Sequence, residues 1–211
     1  MRTALIVAGG DPPGLELDEL PAADLVIAAD SGLDHARAMQ LRVDIVVGDM
    51  DSVSPLGLQW AQRSSVRIES HPPNKDATDL ELALQVAVDE GIERLVVVGG
   101  IGGRLDHELA TVGLLANDSW SAHRVELRAA GETVHVVRDS IDLETAPGST
   151  VTLLAWGGPA IGVTTDGLQW PLKDHTLAPG STLGISNVVQ EGSVSVALTS
   201  GVVLVIQSIE A

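Results

Sequence analysis

The sequence predicts two fold classes in one chain: an open, mostly parallel α/β sheet domain, followed by a β-sandwich domain. Three observations predict this. Short continuous apolar runs in the first half end in Gly or Asp, helix-periodic segments lie between them, and the second half turns to β-branched runs separated by Gly and Pro. The 211 residues correspond to about 1.4 domains of ~150 residues, so one large core or two small ones both fit. The boundary is placed near Arg138, giving domains 1–138 and 139–211.

In the first half the runs Leu5–Ala8, Leu25–Ala29, Ile45–Val47 and Leu95–Val98 are continuous rather than alternating, as suits strands buried on both faces. Helices are expected at Leu33–Met39, Leu56–Gln62, Leu80–Asp89 and Leu105–Leu115. The third is the clearest. Thr78 with Glu81 three residues on reads as a capping box, and Leu80, Ala83, Leu84, Ala87 and Val88 make one apolar face. From about Arg124 the runs shorten: Val125–Arg128, Thr133–Val137, Thr150–Leu154, Ile161–Thr165, Thr182–Ile185, Ser193–Leu198 and Val202–Ile206. Turn signals such as Pro147-Gly148, Asp166-Gly167 and Ser200-Gly201 separate them.

Composition narrows the function. Twelve Lys and Arg against 29 Asp and Glu leave a net charge of −17. Such a surface repels phosphate backbones and anionic lipid, so neither nucleic acid nor membrane is expected as a partner. The absence of Cys excludes disulfides, thiolate metal sites and a Cys nucleophile. The first apolar run, Ala4 to Ala8, is too short for a signal sequence or a membrane span, and a cytoplasmic location is expected. With no Phe or Tyr, any aromatic stacking falls to Trp60, Trp120, Trp156 or Trp170, or to a His.

In open parallel sheets ligands bind beyond the carboxyl ends of the strands. Those ends carry Asp30-Ser31-Gly32, Gly48-Asp49-Met50-Asp51-Ser52 and the Gly99–Gly103 cluster with Arg104, Asp106 and His107; Asn74-Lys75-Asp76-Ala77-Thr78-Asp79 follows His71-Pro72-Pro73. Asp49 and Asp51 alternate, so an extended backbone turns both carboxylates to one ion. The same pair in a plain Asp-rich turn would cap backbone amides. The company of Asp30, Asp76, Asp79 and Asp106 favours a hard cation of the Mg²⁺ type, because so many acids at one edge repel without one. The glycine cluster suits phosphate at a helix start, or simply a tight turn. It lacks the Gly-Lys-Ser/Thr of a P-loop, and Leu105 stands where a dinucleotide fingerprint needs its third Gly. Arg104 and Lys75 are the cations beside these loops. His107 reads as a structural hydrogen-bonder, Trp170 as a core aromatic, and Ser186-Asn187 as the end of a strand.

In their order the stretches AADSG (28–32), GDMDS (48–52), NKDATDLELAL (74–84), GGIGGRLDHELA (99–110), DGLQWPL (166–172) and GSTLGISN (180–187) resemble the thiamine pyrophosphokinase family. The resemblance implies an α/β domain followed by a β-sandwich, a homodimer, and transfer of the pyrophosphoryl group of ATP to the hydroxyl of thiamine with release of AMP. It implies that Asp49, Asp51 and Asp79 hold Mg²⁺. Lys75, Gly102, Gly103, Arg104 and Asp106 would serve ATP, with Asp30 lining the same cleft. Ser186 and Asn187 would meet thiamine from the sandwich, the site being completed across the dimer. Asp79 borders thiamine as well, and Trp170 is the candidate for stacking. Met50 stands where the family often shows Phe, a neutral change for a metal. Phosphoryl-type transfer asks mainly for positioning and charge neutralisation, a task for Lys75, Arg104 and the metal acids, with Asp76 or Asp79 as acceptor of the hydroxyl proton. Two other readings stay open: a related pyrophosphokinase for another hydroxymethyl heterocycle such as a reduced pterin, and a non-catalytic nucleotide or thiamine binder.

Overall fold

The computed structural model describes residues 1–129 and 131–208. The chain divides into two compact units, Met1–Ala130 and Gly131–Ala211.

The first unit holds six strands: β1 (Thr3–Val7), β2 (Leu25–Ala29), β3 (Ile45–Gly48), β4 (Arg67–Ser70), β5 (Arg94–Val98) and β6 (Arg124–Ala129). Four helices connect them: α1 (Gly32–Ala38), α2 (Pro55–Arg63), α3 (Asp79–Asp89) and α4 (Leu105–Leu115). The strand order is β6-β5-β1-β2-β3-β4, with every pairing parallel. Continuous apolar runs therefore do what their pattern requires: all five residues of β1 are buried, because both faces of the sheet are covered. Leu5, Val7, Ala28, Val46, Val96 and Val98 share one core with Leu33, Ala36 and Ala61 of the helices. The helix α3 packs on β1, β2 and β3 with Leu80, Ala83, Leu84 and Ala87 buried. Its N-cap Thr78 accepts the Glu81 N–H at 3.2 Å, which is half of the expected capping box. The order of strands reverses between β1 and β5, so the loops after these two strands open the crevice where such sheets bind ligands.

The second unit consists of two antiparallel four-stranded sheets. One has the order β12-β9-β14-β7, from Asn187–Val188, Thr150–Ala155, Val203–Ser208 and Glu132–Val137. The other has the order β11-β10-β13-β8, from His175–Leu177, Ala160–Asp166, Ser193–Ala197 and Ser140–Glu144. Alternation decides which side chains enter the core: in β13 Val194 and Val196 are buried while Ser193 and Ala197 face out. Val151, Leu153, Val203 and Val205 of the first sheet share one core with Val163, Val194 and Val196 of the second, which makes the unit a sandwich.

The structure corrects the sequence reading in several places. The stretch Thr182–Ile185 is a turn, not a strand: Ile185 N–H bonds to Thr182 O at 3.2 Å, and Leu183 and Ile185 are exposed. Asn187 consequently begins a strand instead of ending one. The run at Val125–Arg128, read as opening the β-branched series though placed before the boundary, is the parallel strand β6 of the first unit. The compact units meet between Ala130 and Gly131, beside the boundary expected near Arg138 within several residues either way. The strands β4, β8 and β11 were not foreseen, since none carries a continuous apolar run.

Three helices end in the same motif. In α1, Leu41 N–H bonds to Ala36 O at 2.9 Å; in α2, Val66 N–H bonds to Ala61 O at 3.1 Å; in α3, Ile92 N–H bonds to Ala87 O at 3.2 Å. Each is a Schellman closure that puts the preceding residue in the left-handed region. In α3 that residue is Gly91, but in α1 and α2 it is Gln40 (φ 58°) and Ser65 (φ 56°). A side chain there costs about 1 kcal/mol. Gln40→Gly and Ser65→Gly are therefore expected to stabilise the protein by about 0.5–1 kcal/mol each, read as a higher urea midpoint with an unchanged m-value.

Candidate active site

Each acid of the site sits where a strand of the first unit gives way to its loop. Asp30 follows β2 in the left-handed region (φ 46°), held by its N–H bonding to Val47 O at 2.9 Å and its carbonyl accepting from Leu33 at 3.0 Å. Asp49 follows β3, and Met50 turns left-handed (φ 66°) before Asp51. Asp51 N–H then donates to Asp49 Oδ1 at 3.1 Å, and Ser52 Oγ donates to Asp51 Oδ1 at 2.8 Å. One oxygen from each of Asp30, Asp49 and Asp51 lies within 4.8 Å of the others. Gly48 makes the convergence sterically feasible: a Cβ there would stand 3.1 Å from Asp79 Oδ1 and 3.2 Å from Asp30 Cβ.

Asp79 opens α3, where the positive helix end favours a carboxylate. Lys75 Nζ lies 2.8 Å from Asp79 Oδ1 and 3.7 Å from Asp49 Oδ2, and its side chain is only 14% exposed. The hydrogen bond to Asp79 raises the Lys75 pKa, with the Asp49 charge adding to it. Asp49 is held below the usual carboxylate range, first by the Asp51 N–H and then by Lys75. Asp30 is raised instead: burial is the main cause, and the carboxylates of Asp79 and Asp49 add to it. Oδ1 of Asp30 is buried and accepts no hydrogen bond among the described residues. Three hard oxygen donors, one of them orphaned, suit a divalent cation, so these residues fit the metal that the sequence reading called for. The cluster differs in membership from that reading. Asp30 joins Asp49 and Asp51, while Asp79 is engaged by Lys75. Asp76 is exposed and stands outside the converging oxygens.

Across the crevice, the glycine-rich loop follows β5. Gly99, Gly100, Gly102 and Gly103 all have φ between 74° and 93°. Gly102 also lies against Asp11, since a Cβ there would stand 2.6 Å from Asp11 Oδ2. Arg104 caps α4, and its guanidinium forks onto Asp106, Nε to Oδ1 at 3.1 Å and Nη2 to Oδ2 at 2.6 Å. The contact lowers the Asp106 pKa and raises that of Arg104. Both side chains are exposed, so water screens the pair and leaves Arg104 free to exchange partners. His107 is exposed in the first turn of α4. Sequence reasoning missed Glu108, whose Oε1 accepts the Gly102 N–H at 2.9 Å. Its signal was a carboxylate one turn into a helix that opens from glycines.

In the second unit, Trp170 is 59% exposed, which overturns its reading as a core aromatic. The buried indole of the chain is Trp120, whose N–H donates to Leu114 O at 3.0 Å. Asn187 is buried and holds the Trp170 main chain from both sides: Oδ1 accepts the Trp170 N–H at 3.1 Å, and Nδ2 donates to its carbonyl at 2.7 Å. Ser186 is exposed in the left-handed region (φ 54°), its N–H donating to Thr152 Oγ1 at 2.9 Å. Asn187 thus positions the tryptophan, and the exposed Ser186 precedes Asn187 in the chain.

Fold and site together define a class: an open parallel sheet with a cluster of converging carboxylates and a glycine-rich turn at its carboxyl edge, followed by a β-sandwich. Family models agree with both halves: "Thiamin pyrophosphokinase, catalytic domain" matches residues 18–127, and "Thiamin pyrophosphokinase, vitamin B1 binding domain" matches residues 138–203. The chain belongs to the thiamine pyrophosphokinase family. It is 26% identical over 215 residues to a thiamine pyrophosphokinase of Bacillus subtilis, covering 99% of each chain. It is also 26% identical over 182 residues to thiamine pyrophosphokinase 1 of Oryza sativa, covering 78% of this chain and 66% of the relative. The chain thus spans just under two thirds of the length of the rice relatives it matches. The crystal structure of a Bacillus subtilis thiamine pyrophosphokinase shares the fold over the whole of both chains, with a TM-score of 0.87 at 24% identity.

The raised pKa of Asp30 gives a signed prediction. Its ionised form is disfavoured in the folded state, so the contribution of this group to stability is full below its ordinary pKa and is lost as pH rises through the raised folded value. In EDTA, Asp30→Asn is therefore expected to melt above the wild type at neutral pH, and the gap is expected to shrink on acidification. Thermal melts of both proteins from pH 4 to pH 8 measure it.

Proposed function

We propose that the chain is a thiamine pyrophosphokinase, passing the pyrophosphoryl group of ATP to the hydroxyl of thiamine and releasing AMP. The observation that carries this reading is the convergence of Asp30, Asp49 and Asp51 beside Lys75 within the segment matched as the family's catalytic domain. In this reading Asp49 and Asp51 hold Mg²⁺, Asp30 completes the set, and Asp79 joins it from α3 when Lys75 turns to a phosphate. The ion supplies charge neutralisation on the polyphosphate. Lys75, kept protonated by its carboxylate neighbours, binds a phosphate oxygen, and Arg104 exchanges Asp106 for another. The thiamine hydroxyl oxygen forms its bond to the β-phosphorus as the bond from that phosphorus to the AMP oxygen breaks. The hydroxyl proton passes to Asp76 or Asp79.

The exposed Trp170, fixed through its main chain by Asn187, supports a stacking role toward the cationic thiazolium ring, with Ser186 as a hydrogen-bonding neighbour. A homodimer, with the site completed by a second copy, is part of the same reading. Its support is apolar surface exposed on both units: Leu105 and Leu109 one turn apart on α4, and Leu183 and Ile185 beside Gly184. Among the described residues no helix is long and apolar enough to cross a membrane. A cytoplasmic setting, where ATP and Mg²⁺ are at hand, accords with the reaction.

An assay with ATP, Mg²⁺ and thiamine, omitting each in turn, tests the proposal. AMP and thiamine diphosphate are expected together, and only when all three are present. ADP as product, or a reduced pterin accepted in place of thiamine, overturns it. Asp49→Ala is expected to lose about tenfold or more in turnover at saturating Mg²⁺.

A further inference from the structure

The glycine-rich loop carries few amides to spare. Gly99 N–H donates to Arg128 O at 3.1 Å, and Gly100 N–H donates to Gly9 O at 3.0 Å. These two bonds are main-chain contacts that tie the start of the loop to β6 and to the turn after β1. Beyond them the chain passes through Gly102 and Gly103, both left-handed, before α4 begins. Glycines in that region have the most backbone freedom to lose, so this half of the loop has the largest entropic cost of holding one shape. Among the described residues one hydrogen bond restrains it: the half-buried Glu108, one turn into α4, reaches back so that Oε1 accepts the Gly102 N–H at 2.9 Å.

We infer that Glu108 is a positioning residue for the nucleotide, a latch that fixes the second half of the glycine-rich loop so that the Gly103 N–H and Arg104 are presented in one arrangement. The inference rests on the reading of this loop as the ATP site. The neighbours of Glu108 do not take the Gly102 amide: Asp106 accepts from Arg104 and, at Oδ1, from the His107 N–H at 3.0 Å. Asp11 lies close to Gly102 from the opposite loop, but it is exposed and is not the acceptor of that amide. Glu108 acts through the loop and touches no reacting atom. What the latch requires of it is an oxygen acceptor at that reach, and glutamine retains one.

Titration calorimetry of Mg²⁺-ATP into the wild type, Glu108→Ala and Glu108→Gln tests the latch without any turnover. Steady-state kinetics and amide hydrogen exchange on the same three proteins complete the test. Glu108→Ala is expected to weaken ATP binding and raise the KM for ATP about tenfold, with kcat and the KM for thiamine within about twofold of wild type. Its Gly102 amide is expected to exchange faster. Glu108→Gln is expected to restore affinity, KM and protection to within about twofold of wild type. Glu108→Ala binding ATP as tightly as the wild type, or more tightly, overturns the inference. So does Glu108→Gln being as impaired as the alanine variant, which would assign the effect to charge. A wild type that binds ATP yet forms no thiamine diphosphate overturns the proposed reaction, and the latch is then decided by the affinity of the alanine variant. If the wild type binds no ATP, an unchanged Gly102 exchange rate in Glu108→Ala overturns it.

Discussion

Parallel strands have a direction, and the first unit is organised by it. With all six strands parallel, every loop that leaves a strand emerges at one edge of the sheet. Loops after β2, β3 and β5, distant in sequence, become neighbours there. The reversal of strand order between β1 and β5 then opens a crevice at that edge. What sequence can load onto the edge is limited by charge. Asp30, Asp49, Asp51 and Asp79 repel one another, and each must be offset by a helix end, a hydrogen bond, a lysine or a cation.

The residues divide that task unequally. Asp49 is stabilised by an amide and by Lys75; Asp79 has the start of α3 and the same lysine. Asp30 is the most buried of the three converging acids, and burial moves its pKa upward while the Asp51 N–H and Lys75 move that of Asp49 down. A buried carboxylate oxygen without a hydrogen-bond partner, such as Asp30 Oδ1, makes the folded chain less stable than one in which every such oxygen is satisfied. Lys75 serves as a resident cation for two of the acids, Asp49 and Asp79.

The sandwich solves a different problem. Its strands alternate, so one side of each sheet is core and the other is surface. Trp170 and the Leu183–Ile185 turn escape that division. The close approach of Gly184 to Leu153, where a Cβ would stand 2.4 Å from the carbonyl oxygen, presses the turn against β9 and leaves Leu183 and Ile185 facing outward. Asn187 is buried beneath the main chain of Trp170 and keeps the indole at the surface. One exposed apolar group of this unit, Trp170, is therefore held in place by a buried polar one.

The sequence alone determined what depends on local periodicity and residue chemistry. Continuous Val- and Ile-rich runs marked the buried parallel strands, the Thr78 cap marked the start of α3, and Asp49-x-Asp51 with Lys75 marked the acid site, because each is a relation between residues a few positions apart. Tertiary structure decided what depends on distant partners. The exposed edge strand β4 has no apolar run to declare it, and Thr182–Ile185 imitates a strand because its apolar residues alternate on a turn. Whether Asp30 or Asp79 joins Asp49 and Asp51 is set by which one Lys75 occupies. Arg104 was legible as a cation beside the glycine-rich loop, but its pairing with Asp106 and the bond from Gly102 to Glu108 were not, since residue spacing does not say which of several nearby carboxylates takes a given donor. That choice is made by the distances the fold imposes.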